Sequence, residues 1–210
     1  MESSACWNCG SYASRLLCPG CRSLQRPPSG YFEFFDLTEH LSLDTTDLQK
    51  RFYELSRALH PDRFTQRPQI EREHSLQATA ILNDGYRTLK DPVKRAEYVL
   101  SRHGLNIGEQ RSKNVPPELL EEVFELNMAL EEIREGDESV RPQVEAARTK
   151  FREMLAAIDT ELEAQFRAFD AAGEADRTAV LSTLRGILNR RRYIQNLVSE
   201  VEKELAPATT

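Results

Sequence analysis

From residue 117 onward the sequence repeats an apolar residue every three or four positions through three long runs. Leu119, Val123, Leu126, Leu130 and Ile133 make the first. Val144, Ala147, Phe151, Leu155, Ile158, Leu162, Phe166 and Phe169 make the second, and Val180, Leu184, Ile187, Ile194, Val198, Val201 and Leu205 the third. Such spacing collects each run on one face of an α-helix. Three helices with one apolar stripe each bury those stripes against one another, so residues 117–206 are expected to form a three-helix bundle, with turns at Gly136-Asp137 and Ala172-Gly173. The same period recurs upstream in Leu48, Phe52, Leu55 and Leu59, and again between Ile70 and Leu89 through Ala78, Ile81, Leu82 and Gly85. No strand-like alternation of any length occurs beyond the first 26 residues. The predicted fold class is all-α.

The breaks in this pattern divide the chain. Thr45-Thr46-Asp47 offers capping oxygens to the first upstream helix, and Pro61 ends it, because the residue before a proline is pushed out of the helical region. Asp91-Pro92 starts another helix, with proline at the first helical position; it passes through Ala96 and Val99 and stops at Gly104. Residues 27–30, Pro-Pro-Ser-Gly, read as a linker, and residues 103–116, with Gly104 and Gly108, as a second. The expected domains are 1–26, 31–102 and 117–206.

All four cysteines fall in the first of these. Cys6-Trp-Asn-Cys9 and Cys18-Pro-Gly-Cys21 are two C-x-x-C pairs eight residues apart. Each pair can offer two thiolates to one ion from a single tight turn, and two turns complete a closed tetrahedral site, which suits zinc. Iron or a redox disulfide pair are the alternatives. A closed four-thiolate site leaves no coordination position for substrate, so the expected role is structural zinc that staples a small arm. Arg15, Arg22 and Arg26 make that arm mildly basic.

The net charge of -6 disfavours phosphate backbones, so no nucleic-acid partner is expected. No run of about 18 apolar residues exists, so no membrane partner is expected. Met1 to Gly10 shows neither a secretory signal nor an Arg-rich, acid-free leader. The expected location is cytoplasmic, or the mitochondrial matrix if a leader has been removed.

His60-Pro61-Asp62 follows the first upstream stripe directly. A basic face precedes it on the same helix, with Lys50, Arg51 and Arg57, and Arg63 lies just beyond. Tyr31-Phe32-Glu33-Phe34-Phe35 lies before that helix. Asn83-Asp84-Gly85-Tyr86 and Asp91-Pro92-Val93-Lys94-Arg95-Ala96-Glu97-Tyr98 come after it. Over residues 31–102 the chain resembles a J domain, with the tripeptide, the aromatic entry and the Asp-Pro-x-x-Arg-x-x-Tyr segment in register. The resemblance implies that residues 60–62 dock on a DnaK-type chaperone. The residues suit this: Pro61 fixes the turn, Asp62 offers a carboxylate to a partner arginine, and the basic helix favours an acidic surface. The remaining histidines, 40, 74 and 103, read as loop or surface residues.

A short linker and a helical bundle after the J domain, with C-x-x-C pairs before it, make the chain similar to the zinc-bearing HscB-type iron–sulfur co-chaperones. That resemblance implies two partners, a DnaK/HscA-type chaperone and an IscU-like iron–sulfur scaffold protein. One feature of the bundle stands without it. If Leu119, Val123, Leu126, Leu130 and Ile133 face the core, Leu120, Phe124 and Met128 form a second apolar stripe about 100° away. Exposed apolar patches mark binding surfaces; the alternative is a broad-faced helix with Phe124 in its core. The resemblance implies scaffold binding by Leu120 and Phe124, and by Tyr193 on the last helix. Glu121 stands where the family can carry another apolar residue. The chain has no phosphate-binding glycine loop, so it is not itself expected to hydrolyse ATP; the resemblance implies that it is no enzyme and activates its partner's ATPase through His60–Asp62. A general J-domain co-chaperone for unfolded clients is the alternative.

Overall fold

The computed structural model describes residues 4–13, 16–107 and 119–206. The chain divides into two compact units, Met1–Tyr98 and Val99–Thr210. The first unit opens with a minimal hairpin, β1 (Ser4–Ala5) and β2 (Tyr12–Ala13), antiparallel with Ser4 opposite Ala13. Helices α1 (Tyr31–Phe34), α2 (Thr45–Leu59), α3 (Gln69–Lys90) and α4 (Pro92–Arg102) follow, with a 3-10 turn at Pro61–Phe64. The division between the units falls inside α4. The second unit contains α5 (Leu120–Arg134), α6 (Arg141–Ala171) and α7 (Glu174–Leu205). Among the described residues, everything beyond the cysteine arm is helical or irregular, as the spacing predicts. The second predicted linker lies outside the described residues from 108 to 116, as does Arg15.

Helix α2 is capped one residue earlier than expected. Asp44, not Thr45 or Thr46, accepts the N–H groups of Thr46 at 2.8 Å and Asp47 at 3.3 Å through Oδ1. A carboxylate meets the partial positive charge of the helix start better than a hydroxyl does. Leu48 and Leu59 are buried against α3, and Phe52 stacks on Tyr86 at 4.3 Å between ring centroids.

Helix α1 is short, and its aromatic residues Phe32 and Phe34, with Phe35 just after it, are buried. It packs on α3 at Gly85, where a Cβ would lie 3.1 Å from both Phe35 and Tyr31. The glycine is thus what lets the two helices approach. The helix closes with Leu37 N–H donating to Phe32 O at 2.9 Å and Asp36 in a left-handed conformation, φ 53°. Arg51 then satisfies the outgoing carbonyls of Phe35 and Asp36, at 3.0 and 2.9 Å, while pairing with Asp47 at 2.7 Å.

Asp91 caps α4 by accepting from Val93 and Lys94, at 2.9 and 3.0 Å. Arg95 is buried and donates to the carbonyls of Leu41, at 2.9 Å, and Leu89. Tyr98 accepts the Tyr31 N–H at 2.9 Å and stacks on its ring.

In the second unit, Leu119, just before α5, and Val123, Leu126 and Leu130 on it are buried, as are Val144, Phe151, Ile158, Leu162, Phe166 and Phe169 on α6. On α7, Leu181 rather than the predicted Val180 faces inward, with Leu184, Ile187, Leu188, Ile194, Val198 and Val201. Ile133 and Leu205, at helix ends, are half-buried. Gly136, φ 96°, ends α5, and Asp137 N–H returns to Glu132 O at 2.9 Å.

Candidate functional site

The arm is built from two copies of one loop. Cys6 N–H donates to Ser11 O at 2.8 Å, and Gly10 N–H returns to Cys6 O at 2.9 Å. Twelve residues on, Cys18 N–H donates to Ser23 O at 3.0 Å, and Arg22 N–H returns to Cys18 O at 2.9 Å. The residue after the second cysteine of each loop is left-handed, Gly10 at φ 74° and Arg22 at φ 61°. That conformation is free for glycine and costs an arginine about 1–2 kcal/mol. The sequence carries this repeat as Cys-x-x-Cys-x-Ser, a signal that the cysteine spacing alone passed over.

Folding the two loops together brings the four sulfurs within 4.8 Å of one another. Cys6 and Cys21 lie 3.7 Å apart, as do Cys9 and Cys18. These separations are far beyond a disulfide bond. They match the edge of a tetrahedron of thiolates about 2.3 Å from a central ion, roughly 3.8 Å. All four cysteines are free thiols; Cys6 and Cys18 are buried, Cys21 is half-buried and Cys9 exposed. The residues therefore fit a metal ion. Ser23 lies 3.0 Å from Cys21 Sγ and 3.4 Å from Cys6 Sγ through its hydroxyl, and Gln25 Nε2 donates to Cys6 Sγ at 3.3 Å. Asn8 N–H adds a further donor to Cys6 at 3.4 Å. Burial raises the Cys6 pKa, but hydrogen bonds from Ser23 foremost, then from the Cys9 and Asn8 backbone and from Cys18, outweigh it and bring the thiol down to about 5. Cys21 is lowered too, chiefly by Ser23. At Cys18 a backbone hydrogen bond from Cys21 lowers the pKa, but burial and the neighbouring thiols Cys6 and Cys21 push it up to about 11. Four adjacent thiols thus resist full ionisation until a cation offsets their charge.

The arm is fastened to α3 through the backbone of Leu24, itself fully buried. Leu24 N–H donates to Glu71 Oε2 at 3.0 Å, and Leu24 O accepts from Trp7 Nε1 at 2.8 Å and from His74 Nδ1 at 3.2 Å. A carbonyl can only accept, so Nδ1 of His74 carries the proton. His74 is therefore no loose surface residue. It stands half-buried on a helix and closes a contact with the arm. The signal for this clamp was present: Glu71, Ser75, Ala78 and Leu82 share one helical face, so an acid sits in line with buried positions and demands a partner.

At the end of α2, His60 is at once the last cap of that helix and the first of the 3-10 turn, with Pro61 just inside. Its Nδ1 accepts the Asp62 N–H at 3.3 Å and lies 3.5 Å from Asp62 Oδ2. The turn is pinned from within by buried Phe64 and by Ser75 Oγ, which donates to Leu59 O at 2.7 Å. The His60 and Asp62 side chains remain outside, 56% and 86% exposed. Arg57 and Arg63 are exposed beside it, Lys50 is exposed further up α2, and Arg63 donates to Arg57 O at 3.3 Å. Arg51 belongs to the same helix but spends its guanidinium on Asp47, Phe35 and Asp36.

On α5, Leu120, Phe124 and Met128 are 55%, 66% and 49% exposed. The stripe is on the surface, and Phe124 is not a core residue. Tyr193 is half-buried on α7, where burial pushes its phenol pKa up. No ring contact joins it to Phe124 among the described residues.

Comparison with known proteins places this architecture. The human iron–sulfur cluster co-chaperone protein HscB is 31% identical over 209 residues, which span 96% of this chain and 83% of the human one. The chain belongs to the HscB family of iron–sulfur cluster co-chaperones. A family model described as the HscB C-terminal oligomerisation domain matches residues 115–202. A co-chaperone HscB homologue from Shewanella loihica is 31% identical over 82% of this chain and 95% of its own. The crystal structure of human HscB superposes with a TM-score of 0.69 at 30% identity, covering 95% of this chain and 97% of that one. HscB from Vibrio cholerae gives 0.58 at 29% identity over 83% and 96%. In this HscB-family chain, the α5 stripe and Tyr193 both fall within the matched C-terminal segment, whereas the His60 turn and the cysteine site lie before it.

Proposed function

We propose that this HscB-family chain holds an iron–sulfur scaffold protein on its bundle and delivers it to a DnaK/HscA-type chaperone, whose ATP hydrolysis it stimulates. The scaffold binds at Leu120, Phe124 and Met128, with Tyr193 contributing from α7. The chaperone is met by His60, Pro61 and Asp62, with Lys50, Arg57 and Arg63 steering an acidic surface onto the turn. Arg51 adds its charge to the same helix and keeps the α1 turn in place. The chain contributes contacts and no bond-breaking chemistry of its own. Zinc in the four-cysteine site stabilises the arm.

The observation that carries this reading is the contrast within the His60 turn. Its backbone is pinned from inside by Phe64 and Ser75, while the two polar side chains that could reach a partner point away. A rigid turn presenting exposed polar groups loses little entropy on docking. The test is single-turnover ATP hydrolysis by the cognate chaperone, with this protein, with its His60→Gln variant, and with scaffold added. We expect stimulation to fall about thirtyfold in His60→Gln, the 2 kcal/mol scale of an interface hot spot. We expect the scaffold to amplify stimulation by wild type and Phe124→Ala to lose that amplification. Stimulation indifferent to scaffold would move the chain to general co-chaperone duty, and no stimulation would refute the proposal.

A further inference from the structure

The segment Ser23-Leu24-Gln25 faces two ways. Ser23 and Gln25 direct their side chains at the sulfurs of Cys6 and Cys21. They also bind each other, Gln25 Nε2 donating to Ser23 Oγ at 3.0 Å and to Ser23 O at 2.9 Å. Between them, Leu24 gives its N–H to Glu71 and its carbonyl to Trp7 and His74. Glu71 and Ser75 share the buried face at the start of α3, and Ser75 holds Leu59, the residue before His60.

We propose that this segment couples metal occupancy of the arm to the order of the first turns of α3, and through Ser75 to the His60 turn. Glu71 is the positioning residue of the link. It is 4% exposed, and Leu24 supplies its hydrogen bond from the arm. When the sulfurs lose their ion, Ser23 and Gln25 lose the fixed acceptors that align them, and Leu24 shifts with them. A buried carboxylate without its donor is costly. The first turns of α3 relieve that cost by opening to water. Coupling of this kind is reciprocal: whatever weakens the clamp weakens metal binding by the same factor. The coupling itself stands apart from the proposed chaperone role; only its consequence for stimulation rests on that reading.

The test is amide hydrogen exchange on the full chain, zinc-loaded and after chelation, with zinc affinity measured by competition. In the wild type, chelation is expected to speed exchange over residues 71–78 and 59–64 by about tenfold or more. Glu71→Ala has no carboxylate to strand, so chelation should add little to exchange over 71–78 in that variant. Its zinc affinity should fall about 10–100-fold, the scale for residues that support metal ligands. Its cobalt-substituted form should keep the absorption of a four-thiolate site. Glu71→Gln retains an oxygen for the Leu24 N–H and should behave as wild type, which separates loss of the clamp from general misfolding. Unchanged exchange over 71–78 on chelation of the wild type would overturn the proposal, and so would wild-type zinc affinity in Glu71→Ala. These readouts involve no chaperone, so their failure and a failure of ATPase stimulation are distinct results.

Discussion

Residues 1–98 balance their acids against their bases, whereas residues 99–210 carry the whole net charge of -6. The contrast extends to how each unit is held. The first unit adds to its apolar core a few specific polar ties: Leu24 on Glu71, Arg95 on Leu41 and Leu89, Tyr98 on Tyr31, and four thiols around one point. The second is held by long apolar stripes. Its ion pairs, among them Arg134 with Glu200 and Glu204, Lys150 with Glu122 and Arg191 with Asp159, lie on the surface. Pairs of that kind contribute about 0–1 kcal/mol each. A unit of specific ties should fail at single points, and a unit of distributed burial should not.

Removing the metal is the strongest way to break the comparison. Metal binding by small thiolate sites is worth about 10 kcal/mol or more of folding free energy. Chelation, or Cys18→Ser, should abolish amide protection in the arm while α5, α6 and α7 keep theirs, as followed by hydrogen exchange. Equal loss in both units would erase the distinction.

A matched pair of glycines sharpens it. Gly85→Ala would push a methyl to 3.1 Å from Tyr31 and Phe35. It should destabilise the first unit by about 1–3 kcal/mol, as overpacking does. At Gly186, inside α7, nothing beyond its own stretch of helix backbone lies within 4 Å of where a Cβ would stand. There the same change should stabilise the second unit by about 0.5–1 kcal/mol, through helix propensity alone. Urea unfolding monitored separately on α3 and α7 reads the two signs.

The smallest effect compares the two loops of the arm. Arg22→Gly removes the left-handed penalty that Gly10 never had, less the added freedom of the unfolded chain. The net gain of up to about 1 kcal/mol should appear as metal binding up to about fivefold tighter in chelator competition.

The helices and the exposed stripe on α5 were legible because both are written in local spacing. Leu120, Phe124 and Met128 fall four apart beside a second stripe that already accounts for the core. The metal cluster was legible for a similar reason, since two C-x-x-C turns carry their own geometry. The clamp on Leu24 was legible on one side only: an acid at Glu71, in line with buried positions, calls for a donor, but nothing local names that donor. Its partners are 47 and 50 residues away and bind backbone atoms, which every residue possesses alike. Arg51 shows the converse limit. It stands on the basic face that the resemblance assigns to docking, and its guanidinium also holds the carbonyls of a left-handed turn at Asp36, a tie that local spacing does not announce. The cap of α2 moved to Asp44 because charge at the helix start outranks a hydroxyl, a contest that a row of eligible residues does not decide.

Trp7 is the single tryptophan of the chain, and its indole N–H is bonded to the Leu24 carbonyl at the seam between arm and α3. The protein therefore carries an intrinsic optical reporter at the joint where its two polar ties meet. Trp7 is 38% exposed with its N–H tied to a buried residue's carbonyl, so release of the seam would shift its emission further toward that of a fully solvated indole. Loading and unloading of the arm can thus be followed in real time by the native fluorescence of unlabelled protein, with no background from other tryptophans.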